Sequence, residues 1–295
     1  MKINDLNINC GENPYQQARF EIDEPIIDYE MSAALDFNEL RSLAKGLDLI
    51  SEFYDVKAAC SIKGTGICAA ALGQTLADAV QKVMDSNPVD FMSSIIVVSS
   101  EVDSETAKFF KDSNIISAPN FTKNALEILA SHNVRYVKIN TPLKDYKKYL
   151  PEKVNKTALG TFIETPNLSE LDKDTFKVVS KQKPTVEQIE DAVFAWKAAK
   201  YINSQAIVIA KDLKTSAISQ GLQSASIEFA LDYSCDMSKE AVLASDMPIT
   251  VHDVDVAAQG RVSLIIVPSA GKDVITRADK YSIVIIETGF ANILL

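Results

Sequence analysis

Apolar residues along this chain fall into short β-branched runs that alternate with amphipathic stretches from about residue 56 onward. That alternation predicts a layered α/β fold, with mixed sheets flanked by helices, rather than an all-β fold or a helix bundle. The run VKAACSI (56–62) predicts a mostly buried strand leading to Lys63. In LADAVQKVMDS, Leu76, Ala79, Val80 and Val83 recur on one helical stripe, and Pro88 closes the segment. SIIVVS (94–99) predicts a strand buried on both faces, and Ile115 and Ile116 open another that Pro119 ends. NALEILASH then gives a helix before the strand RYVKI.

The polar stretch PLKDYKKYLPEKVNK reads as a connection before the strand LGTFIE, and as a seam. After Pro184, Thr185 and Gln188 form a capping-box pattern, with Ile189, Ala192, Val193, Trp196 and Ala199 on the buried face of the helix that follows. Next come the strand AIVIA (206–210), a helix at SIEFAL, another around VDVAAQ, the strand SLIIVP, a helix around 274–281 and the strand SIVIIE. The two halves show about the same alternation without a repeat at fixed period. A length of 295 residues at 47% hydrophobic suits two subdomains, placed at 1–176 and 177–295.

Charge and composition remove several function classes. A net charge of -10 argues against a nucleic-acid binder, which needs clustered cations. The arginines Arg19, Arg41, Arg135, Arg261 and Arg277 are scattered, and the 10 glycines leave little material for phosphate-cradling loops. Cys10, Cys60, Cys68 and Cys235 lie far apart, so neither a disulfide framework nor a zinc site is expected, and reducing cytoplasm is the simplest location. Neither a leader nor a membrane span is expected, since the N-terminus has no apolar core region and no long apolar run follows.

Several segments, in order, resemble the AICAR formyltransferase family (AICAR is aminoimidazole carboxamide ribonucleotide). They are GENPYQQARF (11–20), ALDFNEL, SIKGTGICAAALG, IISAPNFTKNALEIL, DAVFAWKAAKYINSQAIVIAKD, TSAISQGLQSAS and ASDMPITVHD. The resemblance implies two cytidine-deaminase-like α/β subdomains and a homodimer whose sites are shared between chains. It implies a member without the cyclohydrolase domain. It also implies a small nucleotide or folate ligand, 10-formyltetrahydrofolate as formyl donor if the chain is active, and no zinc, because the deaminase H-x-E and P-C-x-x-C pattern is missing.

Formyl transfer to a weakly nucleophilic amine needs proton transfer and oxyanion stabilisation in a site closed to water. The resemblance assigns catalysis to a Lys-His pair and an Asn; here these are Lys63, Gly64 and Gln205. Asn13, Tyr15 and Ser224 fall at substrate-binding positions, and Asp246 and Asp253 on the folate side. Basic and aromatic positions are replaced by Asn9, Cys10, Ala225, Pro248, Ile249, Ala291 and Leu295, and an acidic one by Ser113 or Asn114. Each survivor also has a plainer reading: Lys63 as a solvated strand-end lysine, Gln205 as a strand-edge amide, Asp246 and Asp253 as helix caps or first-turn acids, and Asn13 as part of a turn with Pro14. His132 reads as surface, Trp196 as core, and His252 as structural or as a substitute proton carrier. The expectation is a purine-biosynthesis formyltransferase relative whose parent reaction is impaired or lost. The alternatives are an active enzyme with a site rebuilt from Lys63, Tyr15, Gln205 and His252, and a non-catalytic partner of a working family member.

Overall fold

The computed structural model describes residues 8, 10–22, 26–111, 114–171 and 176–294. Twelve of the strands join into one mixed sheet. The first half supplies β1 (Tyr29–Met31), β2 (Lys57–Lys63), β3 (Gly66–Gly73), β4 (Ile95–Val98), β5 (Ile115–Ala118) and β6 (Arg135–Ile139). A separate hairpin of β7 (Lys153–Thr157) and β8 (Gly160–Glu164) follows, and the second half supplies β9 (Lys177–Val178), β10 (Ala206–Lys211), β11 (Lys214–Gln220), β12 (Val242–Ser245), β13 (Leu264–Val267) and β14 (Val284–Glu287).

The strand order is β1-β6-β5-β4-β2-β3-β11-β10-β12-β13-β14-β9. From either edge it reads the same way: one short antiparallel strand, three parallel strands, then an antiparallel hairpin. Each half thus repeats one topology although the sequence shows no period. The halves meet where Lys214 pairs with Ala71, and the Thr215 hydroxyl extends the join by bonding the Ala70 N–H (3.0 Å) and C=O (3.3 Å).

Period-two side chains decide which helices cover which face. Ala58, Cys60 and Ile62 of β2, with Val208 and Ala210 of β10, face α1 (Phe37–Ile50) and α6 (Val186–Ala199), so one core runs under both halves. Ala59, Ile96 and Val98 face the opposite side, under α2 (Leu76–Ser86), α3 (Pro88–Phe91), α4 (Ser104–Ala107) and α5 (Lys123–Ser131). Ile207, Ile209 and Leu243 do the same under α7 (Gln223–Ser234), α8 (Val251–Gln259) and α9 (Lys272–Tyr281). Gly46 lets α1 sit close to the sheet, since a Cβ there would lie 2.5 Å from Val97 Cγ2. Both long helices start with a capping box, Asp36 with Glu39 and Thr185 with Gln188.

One expectation is extended, one is corrected, and two strands go beyond the sequence reading. Pro88 does not merely end α2; it opens α3 at a first-turn position, where its missing N–H has no partner to lose. KVNKT belongs to a strand, β7, rather than to a connection, because it pairs residue for residue with GTFIE. The strands β3 and β11 carry no strand signal of their own: ICAAALG is dominated by alanine and KTSAISQ by polar residues, and their burial in the middle of the sheet overrides weak propensity.

Candidate functional site

Lys63 ends β2 opposite Gly66, and Ala206 starts β10 opposite Gln220. Because β11 runs antiparallel to β3 through the Lys214–Ala71 pair, Gln220 and Gly66 lie toward the same end of the sheet. Lys63 and Gln205 therefore share one sheet end, three strand spacings apart, or about 14 Å. Two clusters occupy that end.

In the second-half cluster, Gln205 is half-buried and its carbonyl accepts from the Gly221 N–H at 3.2 Å. Asp246, just past β12, is fully buried. Its Oδ1 accepts from the Ala206 N–H at 2.8 Å and its Oδ2 accepts from Ser204 Oγ, so the two neighbours of Gln205 are tied to one carboxylate. Burial pushes the Asp246 carboxyl above the usual range, and the bonds from Ser204 and Ala206 offset part of that. Ser204 also holds the C-terminal tail: its N–H donates to Leu294 O (2.8 Å) and its Oγ accepts from Leu294 N (3.1 Å). Asp246 is thus no helix cap.

Asp253 is the third residue of α8 and completes a capping box with Thr250. Its Oδ2 accepts from Thr250 N (2.7 Å) and Thr250 Oγ1 (2.9 Å), while its Oδ1 accepts from Ser224 Oγ at 2.7 Å. Ser224 therefore links the first turns of α7 and α8. Leu222 at the start of α7 provides no side-chain cap, so among the described residues the first N–H groups of that helix have no side-chain acceptor at that position.

In the first-half cluster, Lys63 Nζ lies 3.0 Å from Asp90 Oδ1, and the other Asp90 oxygen accepts from Asn87 Nδ2 at 3.0 Å. The Lys63 bond first, and the Asn87 bond next, hold the Asp90 carboxyl below its usual range. Burial, with the Asp90 charge adding to it, pushes the nearby Cys68 thiol up to about 11, so that sulfur is a thiol at neutral pH. Gly64 has φ +60 and open space around its absent Cβ. Its carbonyl accepts from Ser42 Oγ of α1. At the matching place in the second half, Asp191 of α6 accepts from the N–H groups of Asp212 (3.1 Å) and Leu213 (2.7 Å) in the β10–β11 turn.

The N-terminal loop packs beside α1, where Asn38 Nδ2 donates to Glu12 O at 3.4 Å and Arg41 pairs with Glu12. Asn13 forms a turn with Gln16, its N and Nδ2 each 2.9 Å from Gln16 Oε1. Tyr15 projects into solvent, 85% exposed. The structure thus brings Gln205, Asp246, Ser224 and Asp253 into one region and puts Lys63 and Asn13 near α1. His252 faces Glu228 of α7 at 3.8 Å. His132 is half-buried rather than on the surface, because its Nδ1 lies 3.1 Å from Phe110 O where α5 ends. Trp196 is core, and Asn114 is buried with Nδ2 bonding Phe91 O at 2.6 Å. Asn9, Ser113 and Leu295 lie outside the described residues.

Four arginines are committed to acids: Arg19 to Glu21, Arg41 to Glu12, Arg135 to Glu39 and Arg277 to Asp255. Arg261 follows the C-terminal end of α8, the opposite end from Asp253. Among the described residues no group of three or more His, Cys, Asp and Glu side chains could hold a metal ion, and no helix is long and apolar enough to cross a membrane.

Sequence reasoning missed a buried ionic network centred on Glu52. Its Oε1 accepts from Lys200 Nζ (3.0 Å) and Tyr201 OH (2.6 Å), and its Oε2 accepts from Lys147 Nζ (3.1 Å). Nothing in the local pattern pairs residues 148 positions apart.

A family profile described as the AICARFT/IMPCHase bienzyme matches residues 2–232. Proteins named bifunctional purine biosynthesis protein PurH are similar over almost the whole chain. That of Anoxybacillus flavithermus is 31% identical over 300 residues, covering 96% of this chain and 58% of the relative. That of Caldicellulosiruptor saccharolyticus is 33% identical over 303 residues, covering 97% and 58%. That of Oceanobacillus iheyensis is 30% identical over 285 residues, covering 92% and 54%. The chain therefore spans little more than half the length of these relatives.

Proposed function

Because the chain belongs to the AICARFT/IMPCHase bienzyme family, we propose that it is an AICAR formyltransferase relative whose transfer of formyl from 10-formyltetrahydrofolate to AICAR is impaired or lost. The observation that carries this reading is Lys63 paired with Asp90 at 3.0 Å beside Gly64. The amine of AICAR must lose a proton as it attacks the formyl carbon. An ammonium held by a carboxylate is a poor acceptor for that proton, and Gly64 has no imidazole to take it. Gln205 keeps an amide but carries it on a longer stem than asparagine, and a displacement of about 1 Å can cost a hundredfold in rate.

Two further features support the same reading. Asp253 is buried and its oxygens already accept from Thr250 and Ser224, so a pterin donor edge would compete with those hydroxyls. The open first turn of α7 can accept an anion, yet Ala225 there adds no charge, and a charge-assisted bond is worth roughly 1.5–3 kcal/mol. Nucleotide affinity is accordingly weakened.

Pairing into a homodimer forms part of the reading. The β7–β8 hairpin stands apart from the main sheet, and its Val154, Leu159 and Ile163 are more than half exposed. An isolated two-stranded hairpin is marginal in water, so a second copy covering this face would stabilise it. Light scattering should give twice the chain mass, and Ile163→Asp should reduce it. The deciding experiment is formyl transfer with purified protein, AICAR and 10-formyltetrahydrofolate. Turnover at the rate of an ordinary family enzyme refutes the proposal; if Lys63→Ala then abolishes it, the rebuilt site is the answer instead.

A further inference from the structure

A cleft of about 820 Å³, lined by neither Lys63 nor Asp253, opens beside α1 and α6. Its floor comes from Lys45 and Asp48 of α1 and from Lys200 and Tyr201 at the end of α6; its roof is the β7–β8 hairpin. In the hairpin, Asn155 pairs with Phe162 and Lys153 with Glu164, and all four line the cleft. Leu150, Pro151, Pro166 and Leu294 make most of the remaining wall apolar. The volume is that of a site for a small organic molecule.

The charges around this cleft are almost all satisfied internally. Lys200 is held by Glu52 and by Ser169 O (2.7 Å), Lys153 by Glu164 (3.2 Å), and Tyr146 OH donates to Asp48 Oδ1 at 2.8 Å. Lys45 differs. It is half-buried, and among the described residues no acidic oxygen lies within 4.0 Å of its Nζ. Burial, more than any neighbouring charge, works against its ammonium, with Lys153 opposing it as well and Asp48 only partly compensating. A partly desolvated ammonium with no described acidic oxygen within 4.0 Å carries a cost that an incoming anion reduces.

We propose that this cleft binds an organic monoanion with an apolar body, its carboxylate on Lys45 and its hydrocarbon against Phe162, Leu150 and Leu294. A monoanion fits better than a phosphate dianion, because Asp48, Glu152 and Glu164 also line the cleft and would repel a second negative charge. Lys63, Gln205, Ser224, Asp246 and Asp253 do not line the cleft, although its Leu294 is bonded to Ser204, so ligand binding is read separately from formyl transfer.

The test is calorimetric titration of the full chain with phenylbutyrate and with its uncharged analogue phenylbutanol. Wild type should bind the carboxylate, Lys45→Met should weaken it at least tenfold, and phenylbutanol should bind both proteins equally. Phe162→Ser, at a side chain 60% exposed, should weaken both ligands while leaving the circular dichroism spectrum unchanged. The proposal is overturned if wild type fails to bind phenylbutyrate, if Lys45→Met binds it as tightly, or if Phe162→Ser leaves both affinities unchanged.

Discussion

Replacing Glu52 by leucine should be among the most destabilising single changes in this protein. The Glu52 side chain is 5% exposed and its principal partner, Lys200, 4%. The carboxylate gathers Lys200, Tyr201 and Lys147, and the Glu52 carbonyl accepts from Lys197 at 3.1 Å, so the end of α1 is fastened to α6 in the other half of the sheet. Among the described residues, leucine would leave Lys200 with the Ser169 carbonyl as its remaining hydrogen-bond acceptor. Breaking a buried pair from one side costs about 3–5 kcal/mol, which lowers the melting temperature by roughly 10 °C at this size. Denaturant unfolding followed by circular dichroism should show a lower midpoint at unchanged slope. The double variant Glu52→Leu with Lys200→Met should recover much of the loss, because no uncompensated charge then remains.

Acid provides a second check on the same residue. Burial alone would raise the Glu52 carboxyl, but Tyr201, Lys200 and Lys147 outweigh it and hold it below the usual glutamate value. A depressed folded value means the stabilisation is complete above the unfolded value and is lost as pH falls through the folded one. The wild type should therefore lose stability below about pH 4.5, whereas Glu52→Leu should show a flatter acid limb. A loss under about 1 kcal/mol for the single variant, the value of an exposed pair, would refute the argument.

Other changes test the packing and capping. Gly46→Ala puts a methyl 2.5 Å from Val97 Cγ2 and should cost about 1–3 kcal/mol in denaturant unfolding. Trp196 is buried with its Nε1 unpartnered among the described residues, so Trp196→Phe removes an orphan donor while it shrinks the ring. The two effects should nearly cancel, to within about 1 kcal/mol, against about 3–5 kcal/mol for truncating the same side chain to alanine. Thr185→Ala removes the α6 capping box and should cost about 1 kcal/mol, read from the same unfolding curves.

The strands at 95–98, 115–118 and 264–267 and the helices α2, α6 and α9 were legible because each owes its conformation to a dense local pattern: β-branched runs, a 3.6-residue apolar stripe, a capping box. The order of the motifs likewise pointed to the family that the profile match shows. The strands β3 and β11 were not legible, since what makes them strands is the pairing that joins the two halves. Tertiary structure alone decided that Asp253 accepts from Thr250 and Ser224, that Lys63 faces Asp90, and that Glu52 meets Lys200 while no acidic oxygen among the described residues comes within 4.0 Å of Lys45. Period and propensity act within a few residues, whereas a charge is satisfied or stranded by groups that folding brings from distant parts of the chain.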